Sequence, residues 1–330
     1  MLIVMKNTAT KKQINDVVAA IEKLNLKAEK LPGSQRTAIG VMGNAGFVDH
    51  DRVLNFPGVK EVIHVTKKYK LVSREYQQEN TLVKINDKVI FGGKKPVTIA
   101  GPCAIESRKQ LLTIAKKIKE LGADMLRGGA YKPRTSPYSF QGVGVEGLKI
   151  MREVSDQVGL PCVSEITSVD DLDLFKKYVD MIQIGSRNMQ NFDLIQKVAD
   201  LKKPILLKRG MSATMEEFLL AAEYILKCGN KNVVLCERGI RTFETSTRNI
   251  LDLNTLALIQ KESHLPIIAD PSHSAGRYDL VAPLAKAALA AGANGLIIEV
   301  HNNPKEAMSD GEQSLNFNTF ASLMKQLGNH

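Results

Sequence analysis

Residues 203–239 read KPILLKRGMSATMEEFLLAAEYILKCGNKNVVLCERG, one full repeat of the pattern that decides the fold. A short run rich in Ile, Leu and Val (KPILLKRG) ends in two cations and a glycine. A longer segment follows (MEEFLLAAEYILKCG), with apolar residues at helical spacing and Gly229 where a helix C-terminus favours glycine. A second apolar run (NVVLCERG) then ends as the first did, in charge and glycine. Runs this apolar suit a parallel sheet covered on both faces, and parallel strands need a crossover such as a helix between them.

The pattern recurs on both sides of this unit. From residue 96 onward there are eight such runs: PVTIAGP, ADMLRGGA, LPCVSEITS, DMIQIGS, KPILLKRG, NVVLCERG, LPIIADPSHS and NGLIIEVH. Helix-like stretches follow them, among them RKQLLTIAKKIKELG, DLDLFKKYV and DLVAPLAKAALAAG. Strand then helix, eight times in residues 96–330, predicts a (β/α)8 TIM barrel. Residues 1–66 predict a small ferredoxin-like βαββαβ domain, with strands at LIVM, AEKLPG, RTAIGVMG and VIHVT and helices at QINDVVAAIEKLN and DHDRVLNFPGV. Residues 67–95 predict a polar linker (KKYKLVSREYQQEN) and a β-hairpin around Asn86-Asp87, placed to cap the barrel floor.

Composition narrows the function. With 44% hydrophobic and 24% charged residues in 330, the chain is globular rather than disordered. No apolar stretch approaches the ~18 residues of a membrane span, and no export signal is visible, so no membrane association is expected. Cys103, Cys162, Cys228 and Cys236 lie far apart without a CxxC pair, which argues against a disulfide framework or a zinc ribbon and for a reducing cytoplasm. The net charge of +10 is uneven: residues 1–95 carry 17 Lys and Arg against 9 Asp and Glu, and the rest is nearly balanced. No basic run is interleaved with aromatics. NAGFVD at 44–49 only faintly echoes an RNA-binding signature, so no nucleic-acid partner is expected.

In a barrel of this kind the active site lies at the C-terminal ends of the strands. Those ends supply Arg127, Lys132, Arg134, Arg187, Lys208, Arg209 and Arg238, with Arg277 just beyond the seventh run. So many cations in a nearly neutral domain imply acidic substrates, since guanidinium suits phosphate and carboxylate. The same ends carry Cys103, His273 and Glu299, with Asp310 in the loop after the eighth run, a mixed soft and hard donor set for manganese, iron, cobalt or zinc. Spacing alone leaves Cys103 open as a small buried hydrophobe and His273 as a satisfied loop residue. Cys162, Cys228 and Cys236 read as core packing. His50, His64, His264 and His330 read as structural or solvent-facing, while His301 stands too near the donor set to dismiss.

GPCAIES, LRGGAYKPRTSPYSFQG, QIGSRNMQN, LLKRG, CERGIRTFE, ADPSHSAGR and EVHNNPKEAMSDGEQSL together resemble 3-deoxy-D-arabino-heptulosonate 7-phosphate (DAHP) synthase, in the branch with an N-terminal ferredoxin-like (ACT-like) regulatory domain. The resemblance spans the barrel and, more loosely, residues 1–66. It implies a metal-dependent transferase that condenses phosphoenolpyruvate with erythrose 4-phosphate, the first step of the shikimate pathway to aromatic amino acids. It assigns Cys103, His273, Glu299 and Asp310 to one divalent metal ion. Phosphoenolpyruvate falls to Arg127, Lys132, Arg187, Lys208 and Arg238, and erythrose 4-phosphate to Arg134, Thr135, Ser136 and Arg277. Lys132, Glu165, Cys103 and His273 take catalytic roles, with Glu165 placed to handle water or a proton. No organic cofactor is implied. An aromatic amino acid inhibitor acting through residues 1–66 and a homotetramer are expected.

The nearest rival is 3-deoxy-D-manno-octulosonate 8-phosphate synthase, which uses arabinose 5-phosphate; its usual Lys-Ala-Asn-Arg type of segment is here KPRTSP. A Schiff-base aldolase would use Lys208 or Lys132 covalently and ignore chelators. A non-catalytic ligand sensor would need an inert barrel, which the complete donor set opposes.

Overall fold

The computed structural model describes residues 1–32, 36–42, 50–63, 68–133, 136 and 138–328. The chain divides into two compact units, Met1–Lys70 and Leu71–His330.

In the first unit, β1 (Leu2–Met5), α1 (Lys11–Glu22), β2 (Lys27–Pro32), β3 (Thr37–Met42), α2 (His50–Leu54) and β4 (Val59–Ile63) follow in that order. The sheet order is β2-β3-β1-β4, and β1 runs antiparallel to both its neighbours. Ile3 and Met5 of the central strand are buried against Val17 and Ile21 of α1. Thr10 and Gln13 form a capping box at 2.9 and 3.2 Å, which starts α1 by satisfying two otherwise orphaned N–H groups. This is the expected ferredoxin-like βαββαβ arrangement. NAGFVD, His64 and the side chain of His50 lie outside the described residues, as does His330.

The second unit opens with chain packed on the barrel. Leu71 and Val72 N–H donate to Glu223 at 2.8 and 3.0 Å, and Arg74 Nε donates to the Gln260 carbonyl at 2.9 Å. The hairpin follows as β5 (Val83–Lys84) and β6 (Ile90–Phe91). Asn86 Oδ1 accepts from the Lys88 and Val89 N–H groups and so sets its turn.

Eight parallel strands then close into a barrel: β7 (Val97–Gly101), β8 (Met125–Arg127), β9 (Cys162–Ile166), β10 (Met181–Ile184), β11 (Ile205–Lys208), β12 (Val233–Glu237), β13 (Ile267–Ala269) and β14 (Gly295–Glu299). Around them run α3 (Arg108–Glu120), α4 (Val145–Val158), α5 (Leu172–Tyr178), α6 (Phe192–Asp200), α7 (Met215–Lys227), α8 (Leu253–Glu262), the short α9 (Pro271–Ala275), α10 (Val281–Ala290) and α11 (Phe317–Leu327). Val83, Val89 and Phe91 of the hairpin join one buried cluster with Val97, Met125, Met181, Leu206 and Val234 of the barrel interior, so the hairpin stoppers the end where the strands begin. Among the described residues, the opposite end of the barrel is the one left open to hold a ligand.

Of the cysteines read as core, Cys162 and Cys236 are buried. Cys228 is not: it caps the C-terminus of α7 and is partly exposed, because the helix that carries it ends there. His264 is structural, its ring held between Thr81 Oγ1 at 2.6 Å and the Leu71 carbonyl at 2.7 Å.

Candidate active site

Strand alternation sorts the strand ends into two faces. The buried interior cluster holds Ile99, Met125, Val163, Met181, Leu206, Cys236, Ile268 and Ile297. Side chains two residues apart face the same way. Two positions beyond that layer come Arg127, Glu165, Gln183, Lys208, Arg238, Asp270 and Glu299. After β7 the equivalent position is Gly101, whose absent side chain lets the Arg127 carbonyl approach; a Cβ there would stand 2.1 Å from that oxygen. An apolar layer is thus topped by a charged one, at the open end.

The alternate positions face outward and do other work. Arg209 follows Lys208 but pairs with Glu237 Oε2 at 2.8 Å and Asp252 Oδ2 at 2.9 Å, on the outside of the strands. Its place in the expected ring of mouth cations is therefore corrected: period two turns it away from its neighbour.

The cavity at the mouth encloses about 280 Å3, at the small end for a ligand site. Six cations line it, Arg127, Lys132, Arg187, Lys208, Arg238 and Arg248, with Glu165, Gln183, His273, Asp310, Ser136 and Ser139 among the remaining lining residues. Two of the buried cations have partners: Arg127 Nη1 meets Glu299 Oε1 at 2.8 Å, and Lys208 Nζ bonds to Asp270. Arg238 differs. It is 3% exposed, its Nη1 donates to the Gly239 carbonyl at 3.3 Å, and among the described residues no carboxylate oxygen comes within ion-pair distance. Burial pushes its pKa down. A buried guanidinium without a counter-ion is costly, and an anionic ligand removes the cost.

The donor set lies against the same wall. Ligand atoms of Cys103, Glu299 and Asp310 fall within 4.8 Å of one another. His273 joins on the Glu299 side, with Nε2 3.5 Å from Oε1. Asp270 caps α9, accepting the His273 N–H at 2.9 Å, and its other oxygen lies 2.8 Å from His273 Nδ1. That contact fixes the ring beside Asp270 and leaves Nε2 on the side of the donor set, the carboxylate-oriented arrangement of metal-binding histidines. Burial pushes the His273 pKa down against the pull of Asp270. Burial pushes the Cys103 thiol up to about 12, while its Sγ donates to Asp310 Oδ2 at 3.0 Å. Burial also opposes ionisation of Asp310, but that bond with His273, Lys132 and Arg248 outweighs it and holds the carboxyl at about 2. Glu299 is likewise ionised, because His273 and Arg127 overcome its burial. A thiol, an imidazole and two carboxylates at converging strand ends and loops fit a divalent ion of borderline softness.

Arg187 and Ser136 line the cavity at its exposed rim. Arg134 and Thr135 lie outside the described residues. Arg277 is not among the cavity-lining residues: it is exposed and paired with Asp279 at 3.1 and 2.8 Å. Sequence reasoning missed four residues. Arg248 reaches the cavity from a loop pinned by its own N–H to the Ala275 carbonyl. Gln183 sits inside an apolar run, where a neutral amide gives little signal. Asp270 was legible as an Asp-Pro N-cap three residues before His273. Gln313, buried, donates from Nε2 to Glu299 Oε2 at 2.7 Å and accepts from Arg248 at 3.0 Å.

A sealed barrel that gathers buried cations beside a thiol, imidazole and carboxylate set defines an enzyme for small acidic molecules. Residues 76–330 match the DAHP synthetase I family and residues 1–67 the DAHP synthase ferredoxin-like domain, so the chain belongs to the DAHP synthases. It is 50% identical to a phospho-2-dehydro-3-deoxyheptonate aldolase of Thermotoga maritima over 99% of this chain and 96% of that protein. The crystal structure of the Thermotoga maritima DAHP synthase superposes with a TM-score of 0.95 at 49% identity, covering 99% of this chain and 96% of the other. A truncated form of that organism's enzyme covers 79% of this chain and 95% of its own, with a TM-score of 0.74. A 2-dehydro-3-deoxyphosphooctonate aldolase of Magnetococcus marinus is more distant, 33% identical over 73% of this chain and 90% of its own length. Among the described residues no helix is long and apolar enough to cross a membrane.

Proposed function

We propose that the chain condenses phosphoenolpyruvate with erythrose 4-phosphate, giving DAHP and inorganic phosphate, in the cytoplasmic shikimate pathway. The observation that carries the reading is Arg238, a buried guanidinium facing a cation-lined cavity without a carboxylate partner among the described residues. Arg127, Lys132, Lys208 and Arg238 at the floor and Arg187 at the rim would hold phosphoenolpyruvate by its phosphate and carboxylate. Ser136, with Arg134 and Thr135 of the same loop, would hold the aldose phosphate. Arg277 belongs to that group only if its pair with Asp279 opens.

Cys103, His273, Glu299 and Asp310 would hold one divalent ion of the manganese, iron, cobalt or zinc class, which when bound supplies a Lewis acid for the aldehyde oxygen. C3 of phosphoenolpyruvate adds to the aldehyde carbon. Water then adds at C2, and the resulting phosphohemiketal expels phosphate. Glu165, half-buried in the cavity wall and held by Gln183 Nε2 at 3.1 Å, is placed to move the proton of that water. The fixed cations keep both anions in register and stabilise the charge that develops.

Residues 1–66 contribute none of these groups. We infer for them the binding of an aromatic amino acid that inhibits the barrel, in a homotetramer; a coupling of about 1–3 kcal/mol suffices.

Phosphate release from phosphoenolpyruvate, with metal-depleted protein and single divalent ions added back, tests the reading. Release with erythrose 4-phosphate and a divalent ion is expected. Preference for arabinose 5-phosphate, or full turnover in chelator, refutes it. Deleting residues 1–66 should abolish inhibition by tyrosine or phenylalanine, and an intact enzyme deaf to both ends the regulatory part.

A further inference from the structure

Two loops bring Cys103 and Asp310 together, and they differ in how firmly they are built. The loop after β7 is anchored: Ala104 pairs with Gly129, the Ile105 N–H donates to the Gly129 carbonyl at 3.0 Å, and Ile105 is fully buried. The loop after β14 is long. Val300 and Leu315 pair at its base, and between them run two single-turn helices and Asp310, a non-glycine residue at φ 51°. A left-handed aspartate persists only where its surroundings impose it.

Besides Cys103, whose Sγ bonds to Asp310, a second residue of the first loop holds the other. Glu106 Oε1 accepts the Met308 N–H at 2.9 Å, two residues before Asp310. The same oxygen lies 3.4 Å from Nε2 of His301, at the base of the long loop. His301 is 3% exposed, and its Nδ1 accepts the Asn303 N–H at 3.1 Å. That bond leaves the ring proton on Nε2, which is buried, makes no hydrogen bond among the described residues and lies nearest to Glu106 at ion-pair distance.

We infer that Glu106 is a positioning residue: it clamps Met308 and His301, so that the loop after β14 presents Asp310 to Cys103. This rests on the reading of Cys103 and Asp310 as metal ligands. The clamp touches neither the cavity nor the donor atoms, so it acts on the apo protein and on metal affinity rather than on the chemistry. Removing such outer partners typically weakens metal binding by about 10- to 100-fold.

The test uses the full chain, with Mn2+ as the probe and hydrogen exchange of the metal-free protein as a second readout. Glu106→Ala should weaken Mn2+ binding at least tenfold and speed exchange at the Met308 and Asn303 amides, while turnover returns to near the wild-type value at saturating Mn2+. Glu106→Gln keeps a carbonyl acceptor and should stay close to wild type in both. An Ala variant with unchanged exchange and unchanged Mn2+ affinity overturns the clamp, and so does a Gln variant as impaired as Ala. The exchange arm needs no metal, so a Cys103→Ala variant that binds Mn2+ as tightly as wild type refutes the metal site while leaving the clamp to be judged by exchange alone.

Discussion

Gly185→Ala is a small change with a specific target. Gly185 sits at φ −71° and ψ 163°, a conformation open to any residue, so the backbone offers no objection to a side chain. The objection is Glu165: a Cβ on Gly185 would stand 1.8 Å from its Oε1 and 2.5 Å from its Cδ. Ordinary contact needs roughly 3.5 Å, so the carboxylate must retreat by about 1.5–2 Å. It can do so, since the obstruction is the free end of a flexible side chain at a cavity wall. The bond from Gln183 at 3.1 Å is then lost, costing about 1 kcal/mol, or a few degrees in Tm. Turnover should suffer far more, because a 1 Å misplacement of a reacting group costs about 100-fold. The fall should appear in kcat, since Lys208 and Arg238 stay where they are and KM for phosphoenolpyruvate should move little. Steady-state phosphate release beside a thermal melt measures both. If Gly185→Ala works within about threefold of wild type with an unchanged melt, Glu165 has no fixed post in the reaction and the role given to it is wrong.

Arg238→Met should abolish turnover yet leave Tm level or higher, because it removes a buried charge that lacks a carboxylate; a melt several degrees lower would show that Arg238 holds the fold. Arg209→Met should do the opposite, leaving buried Glu237 without its main partner at a cost of about 3–5 kcal/mol while the folded fraction keeps its kcat. Metal binding should weaken as pH falls. The Cys103 thiol is held at about 12 by burial and so is protonated at neutral pH, and each ion bound as the thiolate releases one proton. Affinity should therefore rise about tenfold per pH unit between pH 6 and 8, with calorimetry in buffers of different ionisation enthalpy counting the proton. Cys103→Ala should flatten that slope, whereas a wild-type slope of zero would remove the thiol from the donor set.

Leu206 and Leu207 show why the sequence named the strand ends but not their faces. In a barrel wall both faces are buried, one against the interior and one against helices, so both leucines are apolar and nothing marks which is inside. Lys208 and Arg209 inherit that ambiguity, and only closure of the barrel sends one to the cavity and the other to Glu237. The repeat itself was legible because strand and helix periods alternate eight times, and the hairpin because Asn86 sets its turn locally. Cys103, His273 and Glu299 were legible because each stands at a strand end. Arg248 was not: it stands far along the chain from β12 and owes its position to a backbone bond with Ala275.

Val83, Val89 and Phe91 plug one end of the barrel, and among the described residues the cavity opens at the other. Lys208 and Arg238 lie at the back of the room, buried, while Arg187 and Ser136 stand exposed at the threshold. With phosphoenolpyruvate at the back and the aldose phosphate at the threshold, as proposed, the first would enter before the second and product would leave once the threshold clears. On the proposed assignment, order of entry and order of exit would follow from a hydrophobic stopper on the far side of the barrel, made of side chains outside the cavity.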